Sequence, residues 1–234
     1  MSTLVALAAI GPVSSSLAQS PEVLRNVVQL SATGSVEVEQ DWLQLTLATT
    51  REGRDAEEVQ RQLKQVVDAA LHSLKAQQQG LNLQVRSGSF GVYPRQGADG
   101  KIKAWQGRAE IVVEGKDFAR ISQAATQVPT MTVSALGFGL SKAGRQAVQA
   151  QAQAQAVESF KQRASGLAKQ FGFETYTLRE VSVNSQDGYH SPRLQRVNNM
   201  LAMATAKEQV EEALAVEPGK EEVSVTVVGS VQLQ

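Results

Sequence analysis

Between Val27 and Thr50, apolar and polar residues alternate, but the apolar phase changes partway. Val28, Leu30, Val36 and Val38 share one parity, and Leu43, Leu45 and Leu47 share the other. Successive strand side chains point to opposite faces, so one unbroken strand cannot bury both sets together. The pattern predicts a bulge or break near Glu39-Gln40-Asp41, with Gly34 a candidate for an earlier kink. The same alternation closes the chain. After the Pro218-Gly219 turn, a strand beginning near Glu221 puts Val223, Val225, Val227, Val231 and Leu233 on one face, in phase with Gly229. Ser224, Thr226, Ser230 and Gln232 occupy the other face.

The period shifts to that of a helix after Asp55. Val59, Leu63, Val66, Val67, Ala70, Leu71 and Leu74 recur at helical spacing, and Asp55 with Glu58 forms a capping-box pattern. Glu57 and Arg61 stand at i,i+4, and Gly80 reads as the stop. Leu83–Tyr93 reads as a strand ended by Pro94, "QGADGK" as a turn, and Lys101–Glu114 as the returning strand. A short helix is predicted from Asp117 to about Thr126, and a strand over Met131–Leu140.

Ser141 is positioned to cap a long helix reaching Phe171, with Gly172 as its terminator. Its "AVQAQAQAQAVESF" stretch resembles low complexity, yet Ala and Gln are good helix formers. Val148, Val157, Phe160, Ala164, Leu167 and Phe171 supply a helical stripe, so the stretch reads as a smooth-faced helix. A strand over Glu174–Asn184 follows. Ser185–Gly219 is far longer than the usual connection of about 4–6 residues and carries no clear strand, although "NNMLAMATAKEQVEEALA" admits a short helix. The order β-α-β-β-α-β-α-β-β indicates an α+β fold, in which long helices back mixed or antiparallel sheets as two lobes that could each resemble a ferredoxin-like unit.

A chain of 234 residues with 42% hydrophobic content can bury a substantial core. Lys plus Arg and Asp plus Glu both number 23, giving zero formal net charge. This balance argues against a nucleic-acid partner and leaves little repulsion between identical copies. The absence of cysteine excludes disulfides, thiolate nucleophiles and cysteine-based metal sites. At the start, "LVALAAI" followed by "SSSLAQS" has the form of an export signal, with cleavage expected after Ala18. No Lys or Arg precedes Leu4, so the usual basic start is missing. No apolar run approaches the ~20 residues needed for a membrane-spanning helix.

Four segments carry a family resemblance: "SATGSVEVEQD", "AWQGRAEIVVEGKDFARISQAA", the long "VSALGFGLSKAGRQAVQAQAQAQAVESFKQRASGLAKQFGF", and "VEPGKEEVSVTVVGSVQL". Together they resemble the SIMPL-domain family over about Val27–Gln234, a family whose bacterial members include an oxidative-stress defence protein and a periplasmic immunogenic protein. The resemblance implies an exported, homo-oligomeric protein without established enzymatic activity, with a role in envelope or oxidative-stress protection. It also implies that the C-terminal strand pairs near the N-terminal one, closing a sheet whose middle strands lie between them in sequence.

The residues themselves point to no catalytic, cofactor-binding or metal site. His72 lies off the first helix's apolar stripe, and His190 follows Tyr189 in the long loop. Neither has a metal-binding spacing. Gly137-Phe138-Gly139 lacks the third glycine of a phosphate loop and reads as a strand end. Glu37 with Glu39, and Glu211 with Glu212, are the candidate carboxylate pairs for acid–base chemistry, although solvated charge is the commoner state. Asp41, at the parity break, reads as a turn side chain bonding to backbone amides. Trp42 and Trp105 suit sheet packing or an interface. Arg193 and Arg196 form too small a basic cluster for nucleic acid or lipid. The expected activity is therefore non-enzymatic assembly, with a periplasmic binding module for a small apolar or peptide ligand as the alternative. Ser185–Gly219, which carries Leu194, Val197, Met200, Leu201, Met203, Val210 and Leu214, is expected to make subunit contacts or line a central space, with folding back on its own sheet as the alternative.

Overall fold

The computed structural model describes residues 25–185, 195–196 and 217–234. The phase change of the first apolar run is the point at which the chain leaves one sheet for another. Strands β1 (Val27–Glu39) and β2 (Trp42–Gly53) are separated by Gln40 and Asp41 and do not pair with each other. Strand β1 joins β8 (Lys220–Leu233) and β6 (Tyr176–Ser185) in the order β1-β8-β6. Strand β2 is central in a second sheet of order β3-β4-β2-β5-β7, made with β3 (Gln84–Gln96), β4 (Ile102–Gly115), β5 (Thr132–Gly139) and the two-residue β7 (Gln195–Arg196). All pairings are antiparallel. Each phase therefore has its own sheet to satisfy, and no bulge is required to reconcile them.

The β2-α1-β3-β4-α2-β5 portion of the larger sheet has the ferredoxin-like arrangement, with α1 (Ala56–Lys75) and α2 (Phe118–Thr126) on one face. Leu43, Leu45 and Leu47 of β2 are fully buried there with Leu74, Leu83, Ile111, Val113 and Ile121. A second cluster joins Val59 and Leu63 of α1 to Ala109, with Val92 and half-buried Trp105 packed against it. Both helices start at aspartates that accept a backbone amide three residues on: Asp55 from Glu58 at 2.9 Å and Asp117 from Arg120 at 3.0 Å.

In this part of the chain, local expectations are corrected at two points. Arg61 pairs with Glu58, one turn back at i,i+3, rather than with Glu57. Strand β3 runs through Pro94 to Gln96 instead of stopping there, because β3 is an edge strand and the missing amide costs no ladder bond.

The smaller sheet is backed by α3 (Lys142–Gln170), capped by Ser141, whose hydroxyl accepts the Gly144 amide at 3.1 Å. At the far end, Gly172 at φ +82° donates to Lys169, and Phe173 donates to Ala168, a Schellman closure. The buried stripe is Val148, Ala152, Ala156, Phe160, Ala164 and Ala168. This differs from the predicted stripe: Val157 and Leu167 are half-buried and Phe171 is 64% exposed. A strict four-residue step advances the buried face by about 40° each time, so the stripe winds around α3. Alanine permits that winding because it lets the helix lie close. Gly34 marks the closest approach: a Cβ there would sit 2.3 Å from the Ala152 carbonyl oxygen and 2.5 Å from the Ala156 nitrogen. Gly34 is not a kink, since the β1–β8 register runs unbroken from Val27↔Gln232 to Glu39↔Lys220.

The C-terminal strand thus pairs with the N-terminal strand directly. The strands between them in sequence do not complete that sheet, however. β2 to β5 form the other one, and only β6 lies beside β8.

Candidate functional site

Both junctions between the sheets along the first 141 residues meet at one place. Asp41 follows β1, and Ser141 follows β5 across a gap of 100 residues. Asp41 Oδ1 accepts the Ser141 amide at 2.6 Å, while Oδ2 accepts the Ser141 hydroxyl at 2.7 Å and faces Lys116 Nζ at 2.8 Å. Gln40 donates its amide to the Gly219 carbonyl at 3.0 Å, just before β8, and its side chain to the Phe138 carbonyl at 3.4 Å. Beside them, Arg145 of α3 pairs with Glu221 of β8 at 2.8 Å. Gly144 leaves room for this arrangement, because a Cβ there would lie 3.1 Å from both Asp41 carboxylate oxygens.

Partial burial pushes the Asp41 carboxyl upward in pKa. Hydrogen bonds from Lys116 and from the Ser141 hydroxyl and amide, aided by the Lys116 charge, outweigh that effect and hold it below its ordinary value. A carboxylate held down in this way, with both oxygens engaged, is suited to clasping two chain crossings and poorly suited to general base catalysis near neutral pH. Asp41 therefore bonds to a backbone amide, as its position suggested. The amide belongs to a distant residue rather than to its own turn.

The other candidates are scattered. His72 is exposed near the end of α1. Glu37 and Glu39 are exposed on one face of β1, with Glu37 paired to Lys220 at 2.7 Å. Gly137 and Gly139 end β5 opposite Gln44 and Trp42, and the Phe138 ring lies 5.7 Å from that of Phe118. Trp42 is half-buried at the start of β2. Residue 196 belongs to β7, opposite Ala135, a short pairing that the sequence did not suggest. His190, Glu211, Glu212, Arg193, the N-terminal signal-like stretch and nearly all of the 185–219 segment lie outside the described residues. Among the described residues, no three His, Cys, Asp or Glu side chains gather as a metal site. No described helix is long and apolar enough to cross a membrane.

One surface feature escaped the sequence reading. On β6, Leu178, Val181 and Val183 are 54%, 46% and 45% exposed. They stand opposite Val231, Gly229 and Val227, the residues of β8 that face α3. The row is thus on the helix side of the sheet but beyond the helix, which packs chiefly over β1 and β8. An irregularity between Leu178 and Glu180 keeps Leu178 and Val181 on one face although they are three residues apart. That broken parity was the available signal.

Among the described residues, the other sheet edges carry features that β6 lacks. Strand β3 has Pro94, two register irregularities and Arg95 held by Glu52 at 3.0 Å; β7 is two residues long. On β1, Arg163 of α3 donates to the Ser31 carbonyl.

A ferredoxin-like sheet clasped through Asp41 to a second, helix-backed sheet makes this an α+β protein of two antiparallel sheets. The chain belongs to the SIMPL family, described as "Protein of unknown function (DUF541)", which it matches over residues 28–231, from β1 to β8. No curated protein matches the chain.

Proposed function

We propose that this chain is an exported, non-enzymatic protein that works as a homo-oligomer larger than a dimer, in envelope or oxidative-stress protection. The observation that carries the assembly reading is the exposed apolar row Leu178, Val181 and Val183 on β6, an edge strand of the smaller sheet that is unpaired on its outer side among the described residues. Exposed apolar side chains on a strand edge are a liability for a free monomer and an asset for an assembly. The zero net charge of the chain leaves little electrostatic opposition to bringing copies together. Export is supported by the apolar, small-residue pattern ahead of Gln19. The protective role rests on the family resemblance.

Size-exclusion chromatography with light scattering on protein lacking residues 1–18 tests the assembly. A particle of more than two copies is expected, and a monomer at micromolar concentration would overturn the reading. Intact mass of protein recovered from the periplasm tests export, with loss of about 18 residues expected. Growth of a deletion strain under peroxide, with and without complementation, tests the protective role. The same β6 row would also accept an extended apolar peptide by strand addition. A large thermal shift with such peptides, in a protein that stays monomeric, would favour the binding-module alternative.

A further inference from the structure

We propose that β6 pairs antiparallel with β6 of a second copy, about a two-fold axis between Arg179 and Glu180. The proposal rests on the assembly reading above and supplies one of its contacts.

The pairing follows from the faces of β6. Tyr176, Leu178, Val181 and Val183 stand opposite Leu233, Val231, Gly229 and Val227 of β8, so all four lie on the helix side. Thr177 and Ser182 stand opposite Gln232 and Val228 on the other side. An axis between Arg179 and Glu180 sets Leu178 against Val181 of the partner subunit and Tyr176 against Val183 of the partner subunit. It sets Thr177 against the partner subunit's Ser182. Each cross-strand pair then matches apolar with apolar or polar with polar on the same face. At the centre, Arg179 meets the partner subunit's Glu180, and symmetry makes that pair twice.

Neighbouring registers lose this match. A shift of one residue in either direction sets Arg179 against Arg179 or Glu180 against Glu180, and sets Leu178 against a polar residue. The irregularity of β6 also falls at the axis, so the extra residue Arg179 meets Glu180 of the partner subunit in both strands and the apolar pairs on either side stay in step. Charge complementarity at the centre selects a second copy over an unrelated apolar peptide as the occupant of this edge. Among the described residues, β3 is interrupted by Pro94, β7 is two residues long, and β1 has α3 packed over it with its Ser31 carbonyl taken by Arg163, whereas β6 presents an exposed apolar row.

The chain has no cysteine, so introduced thiols report without background. Thr177 and Ser182 are exposed, which allows substitution without disturbing the core. Within one copy they are about 16 Å apart along the strand, too far to bridge. Across the axis they are opposite neighbours.

In the full chain, Thr177→Cys combined with Ser182→Cys should oxidise to a covalent dimer. Neither single variant should do so alone, while a mixture of the two single variants should give a heterodimer. Arg179→Glu and Glu180→Arg should each weaken the contact by about tenfold, and the double exchange should restore it. Circular dichroism melts establish that each variant is folded.

Absence of the covalent dimer, or equal bridging by the single variants, would overturn the pairing. If light scattering still finds an oligomer in that case, assembly stands through another surface. A monomer throughout removes both claims. Stabilisation of a monomer by an extended apolar peptide, with no β6 bridging, would make the peptide the occupant and overturn the pairing.

Discussion

Leu43, Leu45 and Leu47 of β2 are sealed between sheet and helices by other large side chains, whereas Gly34 of β1 meets the backbone of α3 almost directly. The two sheets thus solve the same problem with opposite means. The larger sheet spans its distance to α1 and α2 with leucine, isoleucine and valine, so its core depends on volume. The smaller sheet removes side chains at the contact, through Gly34, Ala152 and Ala156, so its core depends on closeness. Large side chains let two helices cover a wide sheet. A single close-lying helix covers β1 and β8 and leaves the apolar row of β6 in the open. The exposed apolar row is therefore a consequence of how the smaller core is packed.

The largest expected effect is at Val227, buried to 1% beneath α3. Val227→Asp should cost about 4 kcal/mol or more by burying an unpaired charge. Thr226→Asp, on the opposite face, should cost far less. Denaturant melts check both, and equal losses would mean that both faces are covered.

Next come the substitutions that separate volume from closeness. Leu45→Ala should destabilise by about 3 kcal/mol through the cavity it leaves. Gly34→Ala, which adds a single carbon, should cost about 2 kcal/mol because α3 must lift away. If Gly34→Ala proved neutral in urea melts, the close approach of α3 would not control the smaller core.

The clasp between the sheets should matter less, since Asp41 is 34% exposed and Lys116 38%. Asp41→Asn should cost about 1 kcal/mol after allowing for solvent screening. It should also raise amide exchange at Ser141 more than in either core. The Asp41 pKa is depressed on folding, so its contribution is complete above the ordinary carboxyl value of 3.8 and is lost as pH falls through the lower folded value. The stability difference between wild type and Asp41→Asn should therefore shrink on acidification below about pH 4.

The smallest effect is expected at Ser122 in α2, whose buried hydroxyl has no hydrogen-bond partner among the described residues. Ser122→Ala should change stability by no more than about 0.5 kcal/mol, and a gain is the favoured sign. Thermal melts decide it.

What the sequence by itself determined about this protein is local. The caps at Asp55 and Ser141, the helix start at Asp117, the alternation of β1 and β8, and the break beside Gln40-Asp41 depend on residues within a few positions of each other, and periodicity and capping record such relations. The family, too, was legible in the segments that carry its pattern. Only the tertiary structure decided that the break divides two sheets, that Asp41 reaches Ser141, and that alanines rather than Val157 and Phe171 make the α3 stripe. It likewise decided that α3 lies chiefly over β1 and β8, with the apolar row of β6 exposed beside it. Each of these depends on which distant backbone comes close. Alanine is buried through close approach more than through its own hydrophobicity, and an apolar strand residue is exposed when its covering helix lies over the neighbouring strands. Neither distance is written in the order of residues along one element.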